Sequence, residues 1–421
     1  MVRPDGQSVG TPAPAALAEE VLARCQVLAG YSEEPGRITR TFLCEAMRGV
    51  HEHLGGWMRA AGMEVRLDPA GNLIGHHPAA GPDAPLFLIG SHLDSVPDAG
   101  MYDGVLGALL GVAAVQALGG RRLPFAVEVL GFCEEEGVRF RTPYLGSRAV
   151  CGRFDPELLE RIDAAGVSLA AALRNFGLDP ARLPAAAYPA GRVLGYLEAH
   201  IEQGPVLDTR NLPLGVVETI VGQSRLWLRF EGKAGHAGTL PMELRQDALS
   251  AAAEFIVAVE QHARSLDGLR ATVGTLAVAP GAANVVPGSA RLSLDVRHPQ
   301  DGVREEAMVA LLEQAARVAG RRGISLHVDH AEHHPAVPAD RRLTGLLAES
   351  ARAAGYEPLP MVSGAGHDAA VMAGLAPMAM LFVRSPGGVS HRPDEAVRPE
   401  DVRAALDVMV AFLHRLAGDS A

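Results

Sequence analysis

Four short segments concentrate the residue types that bind divalent cations and move protons. GSHLDSVPDAGMYDG (90–104) carries His92, Asp94 and Asp103, and EEEGVRF (134–140) carries Glu134, Glu135 and Glu136. EAHIEQGP (198–205) contributes His200 and GGVSHRPDE (387–395) contributes His391. Three neutral imidazoles with two or three carboxylates suit a pair of borderline divalent cations, and a carboxylate such as Asp103 can bridge the two. Taken singly, each segment has a plainer reading. A His-x-Asp after a strand is commonly a capped turn, and a glutamate run is commonly a solvated acidic face. The glutamates, however, follow directly on the apolar stretch Phe125–Phe132, at a strand's C-terminal edge. The joint occurrence of all four segments is what favours a metal centre. Arg297, in LDVRH at the end of a strand, suits bidentate binding of a carboxylate, with a surface ion pair as the alternative. His236, between glycines in AGHAGT, reads by itself as an exposed turn histidine.

The elements that must position these residues alternate in type. Helix is expected through about residue 61, then a strand at Leu86–Ile89 ending in a Gly-Ser-His turn. A packed helix over Gly104–Leu118 precedes a strand at Phe125–Phe132. This order predicts an α/β unit with a largely parallel sheet, whose ligands gather beyond the strands' carboxyl ends. From about 213 to 332 the rhythm changes. A strand-like run, Val216–Phe230, leads to a helix from Pro241 to Leu266 with Thr239 as its cap. Strands follow at Ala271–Val278 and Ala290–Val296, then a helix at Val303–Ala319 and a strand at Ile324–Val328. The order βαββαβ is that of a ferredoxin-like module. The predicted layout is therefore one α/β domain, 1–212 and 333–421, interrupted by an inserted α+β domain, 213–332.

Composition narrows the functional classes. A chain of 421 residues suggests two or three domains. The start, MVRPDGQSVG, has no apolar core of a secretory signal, and the apolar run Val105–Leu118 is short of the ~20 residues of a spanning helix. A net charge of −11 disfavours nucleic acid or an anionic membrane as partner. Four cysteines without CxxC spacing read as reduced thiols of a cytoplasmic protein.

Together with AGHAGTLPM (234–242), ANVVPG (283–288) and SGAGHDA (363–369), the four segments make seven motif blocks in order. In these the chain resembles the dinuclear metallopeptidase clan, peptidase family M20 type. More narrowly it resembles the amidohydrolase branch containing allantoate amidohydrolase, N-carbamoyl-L-amino-acid hydrolase and β-ureidopropionase. The resemblance implies a mixed-sheet metallohydrolase domain with an inserted dimerisation domain, and two divalent ions per subunit, Zn²⁺ or Mn²⁺ with Co²⁺ or Ni²⁺ possible. His92, Asp103 and His200 would hold one ion, and Asp103, Glu136 and His391 the other. Glu135 would be the general base, and the Asp94 carboxylate would orient a ligand imidazole. The peptide after Asp103 is expected to be cis. His236 would reach a partner subunit's site in a homodimer formed through the inserted domain. Arg297 and Asn284 would take a substrate carboxylate, with Gln203 near the substrate's polar end and His367 loosely at the substrate. The turn PDAG (97–100) departs from the family's usual glycine-rich turn beside the site. The implied reaction is hydrolysis of a ureido group on a small anionic substrate, in purine catabolism if that substrate is allantoate. VGQSR (221–225) and LPMELRQDA (240–248) favour allantoate over N-carbamoyl-L-amino acids and N-carbamoyl-β-alanine. A catalytically silent binding protein of the same fold is the alternative from another class; the intact Glu135 speaks against it.

Overall fold

The computed structural model describes residues 14–189 and 191–419. The chain divides into two compact units, Thr219–Pro338 and the segments flanking it. No described helix is long and apolar enough to cross a membrane.

The flanking segments build a mixed sheet. Four neighbouring strands, Ala126–Phe132, Leu86–His92, Val193–Ile201 and Met378–Val383, run parallel, while Leu73–His77 and Leu214–Ile220 pair antiparallel on either side. The parallel strands are apolar nearly throughout because both faces are covered. Helix Val105–Ala117 packs on this sheet, and helices Pro14–Ala29 and Pro399–Asp419 pack on that helix. Its residues from Val105 to Val115 are all buried, which explains an apolar sequence with no polar stripe. Gly107 allows the close approach: a Cβ there would collide with the Ala199 carbonyl. Parallel registry, with His92 opposite Phe132 and His200 opposite Phe382, brings the strand ends to one edge.

The Thr219–Pro338 unit has five antiparallel strands around Ser289–His298 and Gly222–Glu231, with Ser325–His334 at one edge. Alternate residues Leu226, Leu228 and Phe230 face Leu292, Leu294 and Val296, under helices Ala248–Ser265 and Asp301–Arg321.

Several expectations are corrected here. The run Val216–Phe230 is two strands, Leu214–Ile220 and Gly222–Glu231, in different sheets. Ala271–Val278 is likewise two short strands, Arg270–Thr272 and Leu276–Ala279. The helix expected from Pro241 starts at Ala248, capped by Asp247, whose Oδ1 accepts from the Ser250 N–H at 3.0 Å. An antiparallel bridge between Lys233 and Gln246 keeps the preceding residues out of the helix. Among the described residues the one cis peptide is Ala279–Pro280, so the cis bond expected after Asp103 is not there. The chain turns instead through Gly104 at φ 67°, where a Cβ would strike the His92 ring.

Candidate metal centre

His92 and His200 lie at the ends of adjacent strands with almost no exposure. Each ring is fixed from behind. His92 Nδ1 lies 3.0 Å from the Asp94 carbonyl and His200 Nδ1 lies 2.9 Å from the Ile201 carbonyl. A carbonyl only accepts, so both Nδ1 atoms carry hydrogen and a neutral ring leaves a lone pair on Nε2. Those two Nε2 atoms are 3.4 Å apart and lie 3.3 Å and 3.1 Å from Asp103 Oδ1. Protons or a cation must separate so many lone pairs. Burial would lower both imidazoles, but Asp103 and Asp94 raise His92 well above its ordinary value, and Asp103 raises His200. The arrangement fits a divalent cation, with nitrogen and oxygen donors and carbonyls behind each imidazole.

Asp103 reaches the site from the turn before helix Val105–Ala117. Its Oδ1 has no hydrogen bond, whereas Oδ2 accepts from Gln203 Nε2 at 2.9 Å and Ser390 Oγ at 2.8 Å. His391 Nε2 stands 3.3 Å from Oδ2 and 3.5 Å from Glu136 Oε1. Two donor triads therefore share Asp103: one with His92 and His200, the other with Glu136 and His391, each with its donor atoms within 4.8 Å of one another. A third grouping joins His92 to Glu135 and Glu136. Burial would raise the Asp103 carboxyl, but His200, His391 and His92 hold it well below the ordinary range.

Glu135 is buried between these groups. Burial pushes its carboxyl well above the ordinary value; His92 opposes the shift, while Glu136, Asp368 and Asp94 add to it. Burial likewise pushes Glu136 up to about 7. Asp94 holds both glutamates by the main chain: Oδ1 accepts from the Glu135 N–H at 2.9 Å and Oδ2 from the Glu136 N–H at 3.0 Å. Its carboxylate, expected to orient His92, lies 3.5 Å from Nδ1, too far for a hydrogen bond, and its own carbonyl does that work.

Gln203, expected at the substrate's polar end, spends its amide on Asp103 Oδ2 and, at 3.2 Å, Ser390 Oγ. His367 packs edge-on against His200, with centroids 4.6 Å apart, and Nε2 lies 2.9 Å from Ser363 Oγ. Burial, then His200, pushes its imidazole well below the ordinary value. In the Thr219–Pro338 unit, His236 is exposed and paired with Val285, and Asn284 is exposed beside it. Arg297 Nε donates to Asp295 Oδ1 at 2.7 Å.

Sequence reasoning passed over two supports. Glu395 lies inside the quoted GGVSHRPDE block, and its Oε1 accepts the N–H groups of Tyr102 and Asp103 at 2.8 and 3.0 Å. Gly100, in the variant PDAG turn, leaves the room Glu395 occupies. Arg40 is fully buried and donates to the carbonyls of Leu93 at 2.6 Å, Tyr31 at 2.9 Å and Leu28 at 3.1 Å. It clamps the link between His92 and Asp94, and no local pattern in GRITRTF announces it.

Known proteins resemble the chain along nearly its whole length. Residues 88–415 match the peptidase family M20/M25/M40. An N-carbamoyl-L-amino acid amidohydrolase of Geobacillus stearothermophilus is 39% identical over 404 residues, covering 95% of this chain and 98% of its own. A probable allantoate deiminase of Oryza sativa subsp. japonica is 38% identical over 440 residues, covering 96% of this chain and 90% of its own. The crystal structure of a hydantoinase/carbamoylase family amidase from Burkholderia ambifaria superposes with a TM-score of 0.88 at 34% identity, covering 95% and 98% of the two chains. On the sequence match and the fold together, the chain belongs to peptidase family M20/M25/M40, as one of its amidohydrolase enzymes.

Proposed function

We propose that the protein hydrolyses the ureido C–N bond of a small carboxylated substrate, converting R–NH–CO–NH₂ to R–NH₂, carbon dioxide and ammonia, with allantoate as substrate. The observation that carries this reading is the pair of donor triads sharing Asp103, with Glu135 buried between them. His92, Asp103 and His200 would hold one divalent ion and Asp103, Glu136 and His391 a second; zinc and manganese suit these donors, and cobalt or nickel would also be accepted. Bound there, the ions supply Lewis acidity toward water and the carbonyl oxygen.

The chain's own groups do the rest. Glu135, its carboxyl raised by burial, takes the proton of the attacking water and delivers it to the leaving nitrogen. Asp94 keeps Glu135 in reach through its peptide N–H. Gln203 and Ser390 steady the Asp103 carboxylate. His367 walls the His200 side. Arg297 and Asn284 take the substrate carboxylate, Arg297 as a bidentate donor. The Thr219–Pro338 unit, read as a ferredoxin-like dimerisation domain, would carry His236 to the site of a second copy, where it donates to the carbonyl oxygen as charge develops.

A second reading is an N-carbamoyl-L-amino-acid hydrolase, favoured by the Geobacillus relative's identity along nearly the whole chain. Ammonia release from a panel of ureido acids, with each divalent metal added in turn, separates the two. Allantoate should be turned over fastest; no ammonia from any ureido acid would overturn the reaction itself.

A further inference from the structure

Tyr144 is a bulky aromatic in a conformation that side chains avoid. It sits at φ 66°, ψ 27°, immediately before helix Leu145–Val150. A left-handed residue of this size is strained and persists where its surroundings fix it. Here the fixing is done by the acidic loop, since the Leu145 N–H donates to the Glu134 carbonyl at 3.0 Å, and by the Arg148 N–H, which donates to the Tyr144 carbonyl at 2.9 Å. The phenol reaches the SGAGHDA loop, where a Cβ on Gly366 would land on its hydroxyl oxygen. The hydroxyl makes no hydrogen bond among the described residues. Burial, then the charges of Glu135 and Asp368, keeps its proton on.

The hydroxyl thus lies in a strained frame against the loop whose His367 packs on His200, where its O–H can meet a ligand atom. We propose that Tyr144 is a further substrate-contacting residue, its hydroxyl donating to the oxygen of the carbonyl that the Glu135-activated water attacks, which is the ureido oxygen on the reading above. The loop glycine opposite keeps that hydroxyl free to do so.

Tyr144→Phe removes the oxygen and keeps the ring. On the ureido acid that the wild-type protein hydrolyses, kcat/KM should fall roughly 10- to 100-fold, mainly in kcat, with bound metal unchanged. The sharper readout is the matching thioureido acid, because sulfur is a poor acceptor. The preference for oxygen over sulfur should fall at least about tenfold in Tyr144→Phe, which loss of a merely structural contact would not produce. Wild-type turnover with the same preference in both proteins overturns the assignment of Tyr144 and leaves the proposed reaction standing. No turnover of ureido acids by wild-type protein overturns the reaction, and this assignment with it.

Discussion

The candidate residues of the two units are held in opposite ways. In the flanking-segment unit each imidazole of the His92–His200 pair is fixed by a carbonyl behind Nδ1, faces Asp103 with Nε2, and is buried. In the Thr219–Pro338 unit, His236 and Asn284 lie exposed, and Arg297 leans on Asp295. Among the described residues, that unit contains no metal-competent group of three donors. The first arrangement is complete within one fold and costly to disturb, because every lone pair has been aimed in advance. The second is a set of side chains on a small sheet and its loops, two of them exposed and one paired with Asp295. The contrast predicts that substitutions in the first set remove metal, rate or both, whereas those in the second leave metal content unchanged.

The largest effects should come from the first set. Chelation should abolish activity and a divalent ion restore it, and Glu135→Gln should retain metal while kcat falls about 10²- to 10⁴-fold. His391→Ala should lose metal as well as rate. Metal analysis beside kinetics checks both, and full activity in rigorously metal-free protein would break the comparison at its root. Next in size is Arg297→Ala. Leaving a buried partner charge unpaired typically costs about 2–5 kcal/mol, roughly 30- to several-thousand-fold. The loss should fall on the carboxylate substrate and spare its amide, without change in metal content. An equal loss on acid and amide would remove Arg297 from substrate recognition.

His236 gives a smaller effect with a distinctive signature. Removing one donor to a developing oxyanion costs about 10²- to 10³-fold. If His236 serves a second copy, mixing Glu135→Gln with His236→Ala chains should restore about a quarter of wild-type activity, since half the dimers would then carry one intact site. No recovery despite subunit exchange would assign His236 to its own chain, or to no site.

The donors were legible in sequence for a physical reason. A buried strand is a short apolar run, and the first polar residues after it lie at its carboxyl edge, where a parallel sheet gathers ligands. That reasoning places His92, Glu135 and Glu136 without any tertiary information, whereas no strand is read before His200 in the sequence. It could not say which atom of Asp94 meets His92, because carbonyl and carboxylate of one residue look alike in sequence. Nor could it find Arg40, whose acceptors Leu28, Tyr31 and Leu93 lie 12, 9 and 53 residues away. The strand run Val216–Phe230 misled because strand-forming residues stand on both sides of Val221 with no proline between them, while the chain passes from one sheet to another.

The smallest expected effect tests another such ambiguity, in the Thr219–Pro338 unit. Thr239 before Pro241 and Asp247 before Ala248 both satisfy the local rules for starting a helix. Two features favour Asp247: its Oδ1 accepts from Ser250, and the Lys233–Gln246 bridge commits the preceding residues to an extended path. Asp247→Ala should therefore lower the stability of this unit by about 1 kcal/mol. Thr239→Ala, at an exposed position with no capping role, should stay within about 0.5 kcal/mol of wild type. Denaturant unfolding of both variants reads the difference. Catalysis should be unchanged by the Asp247 substitution, because the pairing that holds His236 to Val285 does not use the Asp247 side chain. A larger loss in Thr239→Ala than in Asp247→Ala would move the helix start back to Pro241, and with it the frame that presents His236.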